Sequence, residues 1–296
     1  MSLVINHNLM AMNAARNLSS SYGSLSTSVR RLSSGLRVGA ASDDAAGLAI
    51  RELMRSDIAA LNQGVRNAND AISLIQTADG ALGVVDEKLI RMKELAEQAA
   101  TGTYTSDQRL IIDSEYQAMA SEITRIANST DFNGIHLLNG NLSGATHNGS
   151  GLVSTGQLKV HFGTANDCSE DYYYIRIGTS TASALGVGSQ AAEGKGKSIS
   201  TQSAAQAALE GIENAIVSKD KIRANLGALQ NRLENTISNL QIQSENLQSA
   251  ESRISDVDVS SEMTEFTRQQ ILTQAAVAML SQANSLPRMA MQLLGG

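Results

Sequence analysis

Apolar residues recur at alternating three- and four-residue steps near both ends of the chain. Near the start the ladder runs Leu18, Tyr22, Leu25, Val29, Leu32, Leu36, and near the end it runs Leu272, Ala276, Met279, Ala283, Leu286. That spacing predicts helices carrying a coiled-coil seam. A seam needs a partner, in the other terminus or in other copies of the chain, and isolated amphipathic ends bury too little to offset the entropy of ordering them. The expectation is that both ends order only when neighbouring copies cover them.

The interior carries the same period over greater lengths. Met54, Ile58, Leu61, Val65, Ala68, Ile72 and Ile75 keep step, and Leu82, Val85, Leu89, Met92 and Ala96 resume it after an expected phase slip near Gly80. A helix over 43–100 would be roughly 85 Å long. Ser33-Ser34-Gly35 precedes it as a stop, because Gly35 can take the left-handed conformation that ends a helix. Ser42 is the expected cap, with Asp43 and Asp44 in the first turn. Thr101-Gly102-Thr103 breaks this helix, and Ser106-Asp107 is expected to cap a shorter one reaching Asn128, ~35 Å long. From about Thr201 the helical pattern returns, and Leu226, Leu229, Leu233, Thr236, Leu240, Gln243, Leu247, Ala250 and Ile254 alternate strictly. This second long helix, roughly 80 Å, matches the first in length, so the two can pack antiparallel.

Between them the period changes. Leu158, Val160, Phe162 and Tyr173, Ile175, Ile177 occupy every second position on either side of a polar loop, Gly163 to Asp171, which predicts a β-hairpin as the one β element. Asn133-Gly134 and Asn139-Gly140 mark tight turns. The fold class expected is mainly α: a long antiparallel helical rod, coiled-coil-like, with a small β-hairpin and a terminal two-helix module formed by both chain ends. Its parts fall at 1–42 (first half of the terminal module), 43–138 (first part of the rod), 139–200 (hairpin and short variable region), 201–257 (second part of the rod) and 258–296 (second half of the terminal module).

Charge divides the same way. Residues 1–42 and 266–296 contain no Asp or Glu and carry +6, from Arg16, Arg30, Arg31, Arg37, Arg268 and Arg288, so the remainder of a chain of net −6 carries −12. Such a balance does not fit nucleic-acid binding, which needs a clustered basic face. The terminal Arg are read as keeping the ends soluble. Nine aromatics, no Trp and one Pro in 296 residues fit helices buried along one stripe rather than a large globular core.

Candidate chemistry is sparse. His7, His136, His147 and His161 include no i,i+4 pair and no HExxH, so no metal or catalytic site is expected. Cys168 stands alone in the hairpin loop, which excludes an intrachain disulfide. No phosphate-cradling loop implies a nucleotide cofactor. No apolar run reaches the ~18–20 residues that span a bilayer, and the first residues lack the basic and apolar regions of a cleaved signal. These rules by themselves place the protein in the cytoplasm.

Five stretches resemble the bacterial flagellins: SGLRVGAASDDAAGLAI at 34–50, RNANDAISLIQTADGAL at 66–82, DFNGIHLLNG at 131–140, LGALQNRLENTISNL at 226–240 and TRQQILTQAAVAMLSQAN at 267–284. They keep the family's order and leave only about 60 residues between the rods, so the chain resembles a short form with little or no outer domain. The resemblance implies a non-enzymatic subunit that self-assembles into the extracellular flagellar filament for motility. It also implies type III export without a cleaved signal peptide, which replaces the cytoplasmic expectation. The implied partners are other flagellin subunits, the flagellar export chaperone, the filament cap protein, the hook–filament junction protein and the host Toll-like receptor that senses flagellin, with no nucleic acid and no membrane insertion. For that receptor it points to Arg91, Leu95 and Glu115, the first two four apart and so on one helix face. For assembly it points to the two ladders. From one sequence an exposed Glu87–Arg91 pair with Leu95 in the core is an alternative at these positions, and a hook–filament junction protein or a secreted coiled-coil effector are the alternatives for the whole chain.

Overall fold

The structure is a computed structural model that describes residues 8–146, 156–167, 170–189 and 196–294, the last including the backbone alone at 286–288 and 290–294. Its elements in chain order are α1 (Leu9–Ser34), α2 (Ala45–Ala100), α3 (Ser106–Ser129), β1 (Asp131–Phe132), β2 (Ile135–His136), β3 (Leu158–His161), β4 (Tyr172–Ile175), α4 (Ala182–Leu185), α5 (Gln202–Ser255) and α6 (Val259–Leu294). The fold is mainly α. The chain forms two compact units, a terminal one from Met1–Ile58 with Glu245–Gly296 and a central one from Ala59–Ser244.

In the central unit α2 buries Leu61, Ala68, Ala71, Ile75, Ala78, Leu82, Val85, Leu89, Met92, Ala96 and Ala99. This seam runs through the region of Gly80 with no phase slip. The slip expected from the sequence arose because Ala71 and Ala78 hold core positions that larger neighbours seemed better suited to fill. On α5 the buried line is Ala205, Ala208, Ile212, Ala215, Lys219, Leu226, Leu233 and Leu240. The two helices run in opposite directions: the Gln202 side chain donates to the Ala100 carbonyl at 3.1 Å, Lys219 meets Asp86, and Arg223 meets Asp79 at 2.7 Å. Tyr116, Ala120, Ile123 and Ile126 of α3 complete the core, with Leu185, Val187 and Ile199 beside them. The cap of α3 falls at Thr105 instead of Ser106: Thr105 and Gln108 satisfy each other's backbone N–H groups in a capping box.

The expected hairpin is present, with Leu158 opposite Ile175 and Val160 opposite Tyr173. It sits against α2 where Gly64 has no side chain; a methyl there would collide with the Phe162 carbonyl. A second, smaller hairpin pairs Asp131 with His136 and Phe132 with Ile135, so the larger one is not the one β element. Asn133 and Gly134 both have positive φ, 52° and 80°, the combination that lets a two-residue turn follow the twist of its strands. Strands of two residues carry no readable alternation, which is why only the turn was legible.

In the terminal unit α1 packs against α6. Gly35, at φ 72°, ends α1 with its N–H on the Arg31 carbonyl. Asp44, not Ser42, starts α2: its Oδ1 accepts the Gly47 N–H at 2.9 Å and its carbonyl the Leu48 N–H at 3.0 Å. Asp43 is drawn off by Arg30. Both ends are helical and pack on each other, forming the two-helix module expected of the chain ends.

Candidate assembly surface and recognition patch

The terminal unit begins with its seam. Along α1 the half-buried or buried positions include Ala11, Ala14, Leu18, Ser21, Leu25, Ser28 and Leu32, and along α6 they include Phe266, Gln269, Thr273, Ala276, Leu280 and Ala283. Small residues alternate with Leu, so the helices approach closely. Asn8 holds one end: its Oδ1 accepts the Ala11 N–H at 3.0 Å, capping α1, while its Nδ2 donates to the Ala283 carbonyl at 2.8 Å.

The expected ladders divide between two faces. Leu18, Leu25, Leu32, Leu36, Ala276 and Ala283 lie in or beside the seam. Tyr22, Val29, Leu272 and Met279 point outward, Tyr22 at 65 % and Met279 at 64 % exposure. The Leu286 side chain lies outside the described residues. With them on the surface are Leu9, Met12, Val259, Met263, Ile271 and Val277. A groove of about 650 Å³ between α1 and α6 is lined by Met10, Ala14, Leu272, Ala276, Met279 and Ala283 among others.

The joint between the ends and the long helices is closed by backbone and charge. Leu36 bridges Asp256, the Arg37 N–H donates to the Ser255 carbonyl at 2.6 Å, and the Val257 N–H donates to the Gly35 carbonyl at 3.0 Å. Arg30 grips Asp43 with two bonds of 2.7 and 2.9 Å. That bond, together with the Gly39 and Ala40 N–H groups, holds the Asp43 carboxyl well below the usual carboxylate range. Arg31 lies 3.6 Å from Glu262 and Arg51 lies 3.4 Å from Glu251, and the Arg37 guanidinium donates to the Ile254 carbonyl at 2.6 Å. Arg30, Arg31 and Arg37 therefore tie the joint, a role beyond the solubilising one expected of them.

The second surface lies on the central unit. Nε and Nη2 of Arg91 donate to one oxygen of Glu115, at 3.0 and 2.8 Å, and Nη1 donates to Glu94 at 3.0 Å. These bonds, first to Glu115 and then to Glu94, raise the guanidinium pKa. The partners are Glu115 and Glu94, so the alternative pairing with Glu87 is not what the structure forms. Leu95 is 1 % exposed and packs in the core with Met92 and Tyr116. Four residues turn a helix past a full turn, enough at the edge of a buried stripe to put Arg91 in solvent and Leu95 inside. Two of the three expected recognition residues are therefore brought together at the surface, and the third supports them from below.

The remaining candidates form no site. His136 and His161 lie on β2 and β3, while His7, His147 and Cys168 fall outside the described residues. Among the described residues no cluster of His, Cys, Asp and Glu could hold a metal ion, and no helix is long and apolar enough to cross a membrane. Lys219 was not anticipated. It occupies a seam position of α5, in step with Ala215 and Leu226, and its side chain is 2 % exposed. The signal that could have found it is that continuous three-four step.

The family described as the bacterial flagellin N-terminal helical region matches residues 5–143, and the bacterial flagellin C-terminal helical region matches residues 209–294. A flagellin of Halalkalibacterium halodurans is 44 % identical over 292 residues, covering 99 % of this chain and 100 % of its own length. The flagellar filament 33 kDa core protein of Treponema phagedenis is 41 % identical with the same coverage. Among solved structures, a putative flagellar hook-associated protein from Vibrio parahaemolyticus superposes with a TM-score of 0.54 at 15 % identity, covering 72 % of this chain and 100 % of that one; this likeness is one of fold.

Proposed function

Because the chain belongs to the bacterial flagellin family, we propose that it is the repeating subunit of a flagellar filament and works outside the cell. The observation that carries this reading is the outward face of the terminal unit. Tyr22, Val29, Leu272 and Met279 stay exposed after α1 and α6 have satisfied each other, and identical copies stacked side by side bury such a face repeatedly without limit. Electron microscopy of the purified protein after salting-out tests it. Long tubes about 100–200 Å wide are expected, as several shells of ~10 Å helices give. Finite oligomers instead would favour the junction-protein or effector alternative.

The same reading assigns further partners. The apolar face must be covered between synthesis and polymerisation, which is the task of a flagellar export chaperone, and export proceeds by the type III route without a cleaved signal peptide. The filament cap and the hook–filament junction protein meet the growing and the fixed ends. On the central unit the Arg91–Glu115 pair is the contact for the flagellin-sensing Toll-like receptor of a host, supported by its exposure and by a fixed guanidinium geometry suited to a planar acceptor. Leu95 contributes there by holding α2 in place.

A further inference from the structure

Residues 43–265 carry −12, yet one open groove on the central unit is lined by two arginines and no carboxylate. This groove, of about 570 Å³, runs between the end of β4 and the middle of α5, and its walls include Tyr174, Arg176, Ile222, Asn225, Leu229 and Arg232. Both arginines are anchored. Nε of Arg176 donates to the Ser143 carbonyl at 2.8 Å, and the Arg232 guanidinium lies over the Tyr173 ring, 3.6 Å from its centroid. A guanidinium has five N–H donors, so neither contact exhausts it. Among the described residues neither arginine pairs with an acid, whereas Arg91, Arg125 and Arg223 of the same unit each do.

We propose that this groove binds an acidic saccharide, a sugar ring bearing a carboxylate. A carboxylate takes N–H donors in its own plane, and two anchored guanidiniums with donors to spare supply both those donors and the opposite charge. The rest of the wall suits the ring. Tyr174, 40 % exposed, offers an aromatic surface, and Ile222 and Leu229 offer aliphatic surface, to the C–H face of a sugar. Asn225 can donate to one hydroxyl and accept from another. A bare phosphate would use the arginines and leave this apolar wall without a ligand. An acidic peptide would bring backbone N–H and C=O groups that need partners of their own, and Asn225 is the one amide side chain among the lining residues. Every residue of the site belongs to one chain, so the inference goes beyond the filament reading and does not depend on it.

The test titrates the full-length protein with digalacturonic acid and sialyllactose, followed by saturation-transfer NMR and calorimetry. At least one is expected to bind saturably, with its neutral counterpart, galactobiose or lactose, weaker by about tenfold or more. Arg176→Gln and Arg232→Gln are each expected to weaken the acidic saccharide by about tenfold or more, and lysine at either position to restore only part of that loss, since it keeps the charge without the planar fork. Tyr174→Ala is expected to weaken the saccharide while leaving the feebler binding of inorganic phosphate unchanged. All of these side chains are exposed, so unchanged thermal unfolding is expected to separate a lost site from a lost fold. Failure of both acidic saccharides to bind overturns the inference, as does equal binding of the neutral sugars or indifference to both glutamine variants. Inorganic phosphate or a tetraglutamate peptide that binds as tightly as the acidic saccharide overturns the choice of ligand. Purified protein that forms no filament would sink the filament reading and leave this one standing.

Discussion

The ammonium nitrogen of Lys219 on α5 lies 2.5 Å from Oδ1 of Asp86 on α2, in a seam otherwise filled by Ala, Ile and Leu. Asp220, mostly exposed, is a second partner at 2.7 Å. The two members of the cross-helix pair differ: the Lys219 side chain is 2 % exposed and that of Asp86 is 29 %. Removing Asp86 leaves the buried cation only the mostly exposed Asp220, whereas removing the cation leaves a carboxylate that water can reach. Asp86→Ala is therefore expected to destabilise by about 3 kcal/mol, and Lys219→Met by much less. Urea unfolding of both variants checks the order; equal losses would contradict it.

Gly64 leaves the space into which the Phe162 carbonyl fits, and Asn67 donates to the neighbouring His161 carbonyl at 2.7 Å. Gly64→Ala must push the hairpin from α2. A loss of about 1–3 kcal/mol is expected, despite the better helix propensity of alanine. Thermal unfolding decides between them, since a more stable variant would mean the hairpin gives way freely.

Acid should loosen the joint through Asp43. Its folded pKa is depressed, chiefly by the Arg30 hydrogen bond, so its contribution is present above the unfolded carboxyl value near ~4 and is lost as pH falls below it toward the folded value. The natural chain is expected to lose midpoint temperature through that range more steeply than Asp43→Asn, which has no carboxylate to protonate. Parallel pH profiles for the two proteins would refute this.

Receptor signalling should follow exposure. Arg91→Ala and Glu115→Ala are each expected to lower potency in a reporter-cell assay by roughly tenfold or more, as loss of a contact at the centre of an interface does, with unfolding nearly unchanged. Leu95→Ala is expected to cost about 2–5 kcal/mol of stability, so its signalling defect should track folding. Full potency in the Arg91 variant would remove the receptor from the list of partners.

Protease should find the ends first. The α1–α6 seam is built largely of Ala, Ser and Thr, while the central unit closes over Leu89, Met92, Leu95, Tyr116 and Ile123. Local opening is easier where less apolar area is buried. Brief digestion of the monomer is expected to trim α1 and α6 while leaving a fragment close to 59–244; initial cuts between residues 65 and 129 would argue otherwise.

What could be read from the chain was set by residue size and local turn chemistry. Gly35 and Asn133-Gly134 act through their own backbone preferences, so the end of α1 and the tight turn were visible without a structure. The period-2 runs at 158–162 and 173–177 were long enough to declare a hairpin. Small residues hid the rest. Ala71, Ala78, Ser21, Ser28 and Thr273 fill seam positions because close helices leave no space for more, and a reading that follows large apolar side chains passes over them to Tyr22 and Val29 on the outer face. The same preference hid Lys219, whose burial depends on an acid 133 positions away. The caps shifted by one or two residues, to Asp44 and Thr105, since several neighbouring side chains can serve and the competition of Arg30 for Asp43 is invisible locally. At the recognition patch the sequence placed Arg91 and Glu115 together only through family resemblance, and its four-residue spacing suggested a shared face for Arg91 and Leu95, whereas Leu95 takes the core position that the alternative gave it.

The hydrogen bond from Asn8 to Ala283 joins residues 275 positions apart. Translation runs from one end to the other, so α1 leaves the ribosome long before α6 exists. For almost the whole of synthesis α1 has no native partner within its own chain, and the central unit can fold while the terminal one cannot begin. Closure of the terminal unit is the last folding event by construction. Any factor that holds the final helix apart after release keeps the molecule in the same half-finished state that it had on the ribosome.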